Sequence, residues 1–182
     1  MGKTMTDVAS PAIVPMAEVY IEGFHRALDT VARERRYLAF LEAPPLPATR
    51  DFVRSMIERR NPQFVAVAKD EVVGWCDISR HERPIHAHRG TLGMGIIPAY
   101  RGRGLGQQLI ETTIEAARRQ GLARIELSAH ADNARAIALY RKVGFVQEGV
   151  ERDAICIDGR YCDTISMAII DKANRDAWRA TA

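Results

Sequence analysis

A helical pattern of apolar positions begins the chain. Between residues 16 and 36, apolar side chains recur at steps of three and four, which places them on one face of a helix. These side chains are Val19, Tyr20, Phe24, Ala27, Leu28 and Val31. The proline-rich segment 42–49 interrupts the pattern, because proline removes a hydrogen-bond donor and restricts the residue before it. Thr49 can then cap a second helix over residues 50–59, so two helices are predicted before any clear strand.

Short apolar runs after residue 60 predict extended structure. Residues 64–68 and 72–78 are two such runs, and the polar residues between them favour a hairpin. Residues 80–90 hold three histidines, a proline and several charges with little periodicity, so we expect an exposed loop there. Residues 91–97 resume strand character, and Pro98 ends that strand.

Helix and strand patterns alternate in the second half of the chain. Residues 105–117 carry apolar side chains at helical spacing, and Gly121 suits the C-terminal cap of that helix. The elements predicted after it are a strand over residues 123–129, a short helix over 133–142, and strands over 145–157 and 160–170. Asp158-Gly159, between the last two strands, is typical of a tight hairpin turn because both residues tolerate positive φ angles.

This order of elements predicts a mixed α/β (α+β) chain with a single, mostly antiparallel central sheet flanked by helices. Only the unit over residues 91–129 is expected to pair in parallel, since its helix supplies the right-handed crossover that parallel strands need. The length of 182 residues fits a single domain over residues 1–182, with a flexible segment at residues 1–10.

Composition narrows the class of protein rather than the fold. Hydrophobic residues make up 47% of the chain and charged residues 27%, as in an ordinary globular protein. The net charge of +3 is too small to indicate a nucleic-acid partner, and no apolar stretch is long enough to span a membrane. The three cysteines form no Cys-x-x-Cys pair, and the N-terminus lacks the apolar core of a signal peptide. We therefore expect a cytoplasmic protein that binds no nucleic acid, membrane or metal.

The glycine-rich bend at residues 101–106 has the most informative chemistry, because it leads from a predicted strand into a predicted helix. Such a bend exposes backbone N–H groups at the positive end of the helix dipole and favours an anion such as phosphate. The chain lacks the Gly-Lys-Ser/Thr sequence of ATPase-type phosphate loops, and its glycines are spaced too tightly for a dinucleotide fingerprint. The alternative is a glycine-rich turn without a ligand.

Two motifs, in this order, resemble signatures of the GNAT superfamily of N-acetyltransferases. The Arg-x-x-Gly-x-Gly sequence of residues 101–106 is similar to the superfamily motif Arg/Gln-x-x-Gly-x-Gly/Ala. Residues 133–145 are similar to its second block, Asn-x-x-Ala-x-x-Leu-Tyr-x-x-x-Gly-Phe. Residues 148–168 are similar to the branch that acetylates amino acids and other small amines. The resemblance covers residues 63–170, and the first sixty residues match only in being helical.

The resemblance implies a GNAT-like fold and acetyl-CoA as co-substrate, without a metal. In that family the bend holds the pyrophosphate of acetyl-CoA. The local surplus of basic residues agrees with an anionic cofactor there, and Arg101 and Arg103, which lie at the bend, are the better candidates for its cations. The family strand that corresponds to Met94 and Ile96 pairs with the pantetheine arm and directs an amide at the thioester oxygen. The implied cofactor-binding residues are Met94, Ile96, Arg101, Gly102, Arg103, Gly104, Leu105, Gly106, Gln107 and Asn133.

Two of these assignments have a structural alternative. Gly93 and Gly95 favour a β-bulge at which a ligand meets the backbone, but the alternative is that they allow a neighbouring helix to pack closely. Asn133 resembles the asparagine that holds the cofactor arm by its amide, and it also suits a helix N-cap.

Tyr140 is the implied catalytic residue. In the family the corresponding tyrosine points its hydroxyl at the sulfur of the coenzyme, and a phenol is the right kind of acid to protonate a leaving thiolate. The alternative is a buried aromatic ring that closes the helix against the sheet. The general base stays open among Asp77, Glu126 and His130, with a water relay needing none of them.

Direct transfer to a primary amine of a small molecule or amino acid, within a ternary complex, is the predicted reaction. A covalent route through Cys76, Cys156 or Cys162 is less attractive, because a buried strand thiol has a raised pKa. One alternative is a protein N-terminal or lysine acetyltransferase, and another is a non-catalytic sensor of acetyl-CoA. A homodimer is compatible with all three functions.

Overall fold

The computed structural model describes residues 10–181, and within them seven strands form one sheet. The strands are β1 (Ala12–Pro15), β2 (Gln63–Ala68), β3 (Glu71–Arg80), β4 (Arg89–Ile96), β5 (Arg124–His130), β6 (Val146–Ile157) and β7 (Arg160–Ile170). They lie in the order β1-β2-β3-β4-β5-β7-β6, and among these described strands only β4 and β5 pair in parallel. The predicted mixed, mostly antiparallel sheet is confirmed. The segment expected to be flexible, residues 1–10, lies outside the described residues except for its last position.

Helices cover both faces of the sheet. They are α1 (Ile21–Ala32), α2 (Leu46–Glu58), α3 (Leu105–Arg119), α4 (Ala134–Lys142) and α5 (Lys172–Thr181). Side chains of α1 and α2 pack with Trp75 on one face, whereas those of α3 pack with Cys76 on the other. The alternation of side chains along β3 separates the two cores, because neighbouring residues of a strand point to opposite faces. No helix in residues 10–181 combines the length and apolar character that crossing a bilayer requires.

The N-terminal part departs most from the sequence prediction. A strand, β1, precedes the helices where none was expected, because its apolar run between Pro11 and Pro15 is too short to show a period. The position of β1 at the edge of the sheet tolerates a proline. The first helix is shorter than the predicted 16–36, since a 3-10 turn at Glu18–Tyr20 precedes it and it ends at Ala32.

The second helix begins earlier than predicted, and Thr49 is not its N-cap. Pro45 is the N-cap and Pro47 lies in the first turn, where an N–H would have no intrahelical acceptor. Thr49 is buried inside α2, and its N–H donates to the Pro45 carbonyl at 3.1 Å. The prolines that were expected to interrupt helical structure therefore start the helix.

Two further segments refine the prediction. The loop expected over residues 80–90 is present over 81–88, with residues 82–85 exposed, and β3 and β4 take up its two ends. The hydrogen bond from the His81 N–H to the Arg89 carbonyl, at 3.0 Å, closes the loop at its base. A 3-10 turn at Pro84–His86 completes this connection. The unpredicted helix α5 follows the last strand, and Trp178 anchors it by donating Nε1–H to the Gly121 carbonyl at 2.8 Å.

The separation of β4 from β5 positions the functional site. The two strands pair only over Arg89–Thr91 and Arg124–Glu126. Beyond Thr91, β4 continues to Ile96 beside β3 alone, and the register between β4 and β5 ends. The sheet therefore opens between these two strands, on the side towards which the glycine-rich bend leads.

Candidate active site

Two cavities meet where β4 and β5 separate. The larger, here the loop cavity, has a volume of about 750 Å³ and extends from the glycine-rich bend along α4. The smaller, here the aromatic cavity, has a volume of about 430 Å³ and lies between the separated strands and the α1–α2 region. The residues that line both cavities are Tyr37, Leu38, Met94 and Tyr140. A ligand in each cavity would therefore face the other ligand across these four side chains.

The bend at the far end of the loop cavity has the geometry of an anion site. Gly102 and Gly104 have φ angles of +80° and +79°, in the left-handed region that favours glycine. A Cβ at Gly104 would meet no atom within 4 Å, so the space above the bend is open. Among the described residues, the N–H groups of residues 102–106 have no hydrogen-bond acceptor, and the first helical N–H bond comes from Gln107 to the Gly104 carbonyl. These free donors lie at the start of α3, as the sequence predicts.

The arginines of the bend are placed differently from one another. The Arg101 Nε–H donates to the Ile96 carbonyl at 2.7 Å, and its guanidinium forms a two-pronged ion pair with Glu34. Arg103 lies over the Tyr100 ring, with its guanidinium carbon 5.9 Å from the ring centroid, and its side chain does not line the loop cavity. Leu105 is buried beneath the bend. Leu105 therefore offers a ligand only its backbone N–H, whereas the exposed Arg103 side chain lies outside the loop cavity.

Arg135 is a cation beside the bend that the sequence analysis missed. A Cβ at Gly102 would lie 3.3 Å from the Arg135 Nη2, so the guanidinium borders the bend. Arg135 and Lys142 both line the loop cavity from α4. Within residues 10–181, the Arg135 guanidinium has no ion pair or hydrogen bond. The signal in the sequence was the position of Arg135 two residues after Asn133, within the second motif and at the start of a predicted helix.

Strand β4 presents free backbone groups to the gap. The bonds from Ile97 to Val73 and from His81 to Arg89 show that odd-numbered β4 residues direct their N–H and carbonyl groups at β3. Met94 and Ile96 alternate with these residues, so their backbone groups face the open side. The Ile96 carbonyl is occupied by Arg101, whereas the N–H groups of Met94 and Ile96 have no acceptor among the described residues.

The predicted bulge in β4 is wrong. The register between β3 and β4 runs without a shift from Gly90 to Ile96. Gly95 instead makes room for Trp75, because a Cβ at this position would overlap the indole ring. The glycine thus allows a side chain of β3 to approach closely. Close packing was the alternative interpretation, but the neighbour is a strand and not a helix.

Tyr140 lies at the junction of the two cavities. It projects from α4, and its ring centroid is 5.9 Å from that of Phe145. Burial raises the pKa of Tyr140 above that of an ordinary phenol, so the hydroxyl stays protonated at neutral pH. Among residues 10–181, the hydroxyl has no hydrogen-bond partner. A half-buried phenol without a partner is available as a donor to a ligand.

Asn133 serves as the N-cap of α4. Its side-chain oxygen accepts the Ala136 N–H at 3.2 Å, which is the structural role that the sequence left open. Asn133 also lines the loop cavity, and its side-chain NH₂ donates to no acceptor in the described part of the chain. The cap therefore leaves the amide nitrogen available to a ligand.

The three candidate bases have different environments. Asp77 is buried and lines the aromatic cavity. Glu126 is held by Arg89 at 2.7 Å and Arg124 at 2.6 Å, and these hydrogen bonds outweigh burial and lower its pKa. Burial lowers the pKa of His130, which stacks edge-on against Tyr37 and lines neither cavity. Asp77 is thus the candidate that faces a ligand space.

The cysteines do not share one environment, contrary to the sequence expectation of buried strand thiols. Cys76 is fully buried, and burial raises the pKa of its thiol. Cys156 is exposed on β6, and Cys162 is half-buried near Asp132 and His130. The Cys162 sulfur lies 3.2 Å from the Asp163 carbonyl oxygen and 3.8 Å from the Asp132 carboxylate, so the single S–H can be donated to either one. Neither cavity is lined by a cysteine of the described chain.

Comparison with known proteins agrees with this geometry. Residues 26–145 match the family model described as the acetyltransferase (GNAT) family. Over 107 residues, the chain is 34% identical to the L-amino acid N-acetyltransferase AaaT of Escherichia coli K12, covering 58% of this chain and 66% of that protein. Over 108 residues, it is 33% identical to the N-alpha-acetyltransferase RimI of Mycobacterium tuberculosis, covering 59% and 66%. The chain thus spans just under two thirds of the length of these curated relatives.

Solved structures have the same fold. A GNAT-family acetyltransferase from Streptococcus pneumoniae superimposes with a TM-score of 0.83 at 23% identity, covering 88% of this chain and 99% of that one. A phosphinothricin acetyltransferase from Sinorhizobium meliloti, solved with acetyl-CoA, gives a TM-score of 0.80 at 16% identity and 89% coverage of both chains. The predicted fold is confirmed. Since the family model also covers most of the chain, this protein belongs to the acetyltransferase (GNAT) family.

Proposed function

We propose that this protein transfers an acetyl group from acetyl-CoA to a primary amine of a small molecule or amino acid, with both substrates bound at once. The observation that carries the proposal is the meeting of two cavities at Tyr140, one ending at free backbone donors and the other bordered by a carboxyl group. A direct transfer requires the donor and acceptor to lie side by side in such an arrangement.

The loop cavity fits acetyl-CoA on the chemistry of its walls. The N–H groups of residues 102–106, at the start of α3, suit the pyrophosphate, and the Arg135 guanidinium beside Gly102 adds a positive charge. Residues Met94 and Ile96 offer backbone groups to the amides of the pantetheine arm, and Asn133 offers its side-chain nitrogen. The bend itself is formed by the remaining assigned residues, which are Arg101, Gly102, Arg103, Gly104, Leu105, Gly106 and Gln107. When bound there, acetyl-CoA supplies the activated acetyl thioester.

The β4 amides are suited to stabilise charge during transfer. As the amine attacks, negative charge develops on the thioester oxygen, and fixed N–H donors stabilise that charge without reorganisation. The N–H groups of Met94 and Ile96 face the gap without acceptors in the described chain, and Met94 borders both cavities. We assign the oxyanion contact to one of these two amides.

Tyr140 is assigned as the acid that protonates the departing thiolate. A thiol has a pKa of about 8.5, so an unassisted phenol near 10 is a weaker acid than the thiol, and geometry must compensate. Burial keeps the Tyr140 hydroxyl protonated, and its position at the junction of the two cavities supports this assignment. The proton that Tyr140 gives up returns to it from the nitrogen that has gained the acetyl group.

The acceptor must lose a proton before it attacks. An alkyl ammonium with a pKa of about 10.4 lies about 3.4 units above neutral pH, so deprotonation costs about 4.6 kcal/mol without help. A base or an apolar pocket that disfavours the charged form reduces this cost. The aromatic cavity offers both, since Asp77 is set among apolar side chains.

The relatives support amine acetylation and leave two acceptor classes to distinguish. The name of the E. coli relative specifies L-amino acids, and a Pseudomonas relative at 34% identity is named for methionine sulfoximine and methionine sulfone. The M. tuberculosis relative is named an N-alpha-acetyltransferase, which favours a protein N-terminus as the second candidate. The cavity volume of about 430 Å³ supports the smaller acceptors, because it suits a drug-sized molecule.

The test is release of free thiol from acetyl-CoA with a panel of amines, amino acids and peptides. We expect amine-dependent release with at least one small acceptor, and initial-rate lines that intersect as for a ternary complex. Stabilisation by acetyl-CoA without any amine-dependent thiol would identify a sensor and overturn the proposal. Turnover with peptides alone would favour the N-terminal acetyltransferase.

A further inference from the structure

Asp77 is a buried carboxyl group without a partner in the described chain. Asp77 is 8% exposed, and it lies on β3 at the wall of the aromatic cavity. Within residues 10–181, the carboxyl forms no hydrogen bond or ion pair, and burial alone raises its pKa to about 7. Buried carboxylates are normally paired, so an unpaired one that borders a cavity indicates a ligand that completes it.

A second unsatisfied polar group lies beside Asp77. Gln63 is directly opposite Asp77 in the β2–β3 register, so both side chains lie on the same face of the sheet. Gln63 is 5% exposed, and neither its amide nitrogen nor its amide oxygen has a partner among the described residues. Two neighbouring polar side chains are therefore buried without satisfying each other.

The rest of the aromatic cavity is apolar or neutral. Its walls include Phe24, Leu28, Phe40, Phe52, Trp75 and Leu127. In the described part of the chain, the other titratable groups that line this cavity are the phenols of Tyr37 and Tyr140, and no basic residue lines it. A free amino acid would bury its own carboxylate here without a cation, beside the carboxylate of Asp77, which is unfavourable on both counts.

We propose that the aromatic cavity takes a primary amine on an aromatic or branched apolar body without a carboxylate, and that Asp77 binds its ammonium group and accepts its proton. This inference rests on the proposed function and selects among its acceptors. The apolar walls bind the body, and the single acidic group fixes the amine end near Tyr140. Cys76 and Ile78 flank Asp77 in sequence but point to the opposite face of β3.

Acetyl transfer removes two protons from the acceptor nitrogen, one before the attack and one after it. The ammonium N–H gives its proton to the Asp77 carboxylate, which leaves a neutral amine. The amine nitrogen bonds to the acetyl carbon while the bond from that carbon to sulfur breaks, and the sulfur takes the Tyr140 proton. A second proton from the acetylated nitrogen restores Tyr140, and the proton on Asp77 leaves to solvent.

Matched acceptors test the substrate class. Phenylethylamine and phenylalanine differ only by the carboxylate, and a short peptide that begins with phenylalanine carries an amide in its place. We expect kcat/KM for phenylethylamine to exceed that for phenylalanine by at least about 100-fold, because the carboxylate would be buried unpaired. Equal rates for these two acceptors would overturn the inference, as would a clear preference for the peptide. Turnover with a polar amine of the wider panel but with none of these three acceptors would overturn this inference alone, whereas failure of the whole panel would overturn the proposed function.

Asp77→Asn tests the role of the carboxyl group. We expect KM for phenylethylamine to rise at least about tenfold and kcat to fall, while the affinity for acetyl-CoA stays within about twofold. The wild-type kcat/KM should fall below about pH 7 and level off above it, whereas the variant should keep rising towards the pKa of the amine near about 10. Asp51→Asn, at an exposed position of α2, is the matched control.

The pH profile separates catalysis from a structural role. Loss of activity in Asp77→Asn with an unchanged pH profile would overturn the assignment of Asp77 as proton acceptor. Should this variant fold poorly, Asp77→Glu gives a second test, because it keeps the carboxyl group and should restore the limb below about pH 7.

Discussion

The guanidinium of Arg101 forms a two-pronged ion pair with the carboxylate of Glu34, 67 residues away in sequence, and both side chains line the loop cavity. Each side chain is roughly 30% exposed, so the pair is only partly screened by water. The third donor of Arg101 holds the Ile96 carbonyl at the end of β4. Arg101 thus joins the bend, the strand and the turn that follows α1, and Glu34 neutralises its charge beside the anion site.

Glu34→Gln is therefore expected to tighten the binding of coenzyme A. The substitution removes a negative charge near the bend and leaves the Arg101 charge uncompensated, an effect on the order of 1 kcal/mol, or about fivefold in Kd. Calorimetric titration at low and high salt measures this change in Kd, and the gain in affinity should shrink at high salt. Glu115→Gln, on the exposed side of α3, is the control and should change nothing. Weaker binding by Glu34→Gln would contradict the electrostatic interpretation.

Arg135→Gln should weaken coenzyme A binding by about 10- to 100-fold. The expected loss corresponds to one charge-assisted hydrogen bond to phosphate, about 1.5–3 kcal/mol. Arg141→Gln is the matched control, because Arg141 is on the same helix but donates to Gln147 outside the cavity. Titration with acetyl-pantetheine, which lacks the diphosphate, should give the same Kd for both variants and the wild type. An equal loss with acetyl-pantetheine would show that Arg135 acts on the fold and not on the phosphates.

The features that the sequence predicted are those set by local pattern. The strand–bend–helix unit with Gly104, and the helix that carries Tyr140, follow from apolar period and glycine position over a dozen residues. The β1 strand and the start of α2 did not follow, because prolines act there as an edge residue and as a first-turn residue rather than as breakers. Rules based on local sequence treat proline as a residue that interrupts helices and strands. At these two places the position of the segment in the fold determines that proline is tolerated.

The aromatic cavity could not be predicted, since its walls come from segments far apart in sequence. Phe24, Phe52 and Trp75 meet only after α1 and α2 pack on the sheet. Asp77 was one of three candidate bases with nothing in the sequence to choose among them. Its burial depends on that packing, whereas Glu126 is engaged by an arginine on the neighbouring strand.

Gly104→Asn should abolish coenzyme A binding while the fold stays intact. Asparagine tolerates the left-handed backbone better than other side chains, and a side chain at this position would project into the open space above the free N–H groups. Gly121→Asn is a close control, because Gly121 has the same φ of +79° and a Cβ placed there would likewise meet no atom within 4 Å. The two variants should melt at similar temperatures and differ only in binding. Retained affinity in Gly104→Asn would remove the bend from the anion site.

Tyr140→Phe should lower kcat by roughly 10²- to 10⁴-fold, the usual contribution of a general acid. The substitution keeps the ring that packs against Phe145, so stability and affinity for acetyl-CoA should not change. Steady-state kinetics with calorimetric binding distinguish these effects, and Tyr161→Phe, at a site that is 68% exposed, serves as the control. A kcat equal to that of the wild type would exclude Tyr140 from the proton transfer.

Asp77 should make the stability of the protein depend on pH. Its folded-state pKa of about 7 lies above the ordinary value of 3.8, so the folded chain holds a proton that the unfolded chain releases. The resulting stability is fully present below about pH 4 and is lost as the pH rises through about 7, by at most about 4 kcal/mol. Asp77→Asn cannot ionise, so its free energy of unfolding should exceed that of the wild type above about pH 7 and converge with it near about pH 4. Urea unfolding at several pH values measures this difference, with Asp51→Asn expected to run parallel to the wild type. If the free energy of unfolding of Asp77→Asn followed that of the wild type at every pH, the carboxyl would be solvated in the folded state. We expect instead that the variant gains stability and loses activity, because a buried group that serves a ligand lowers the stability of the free protein.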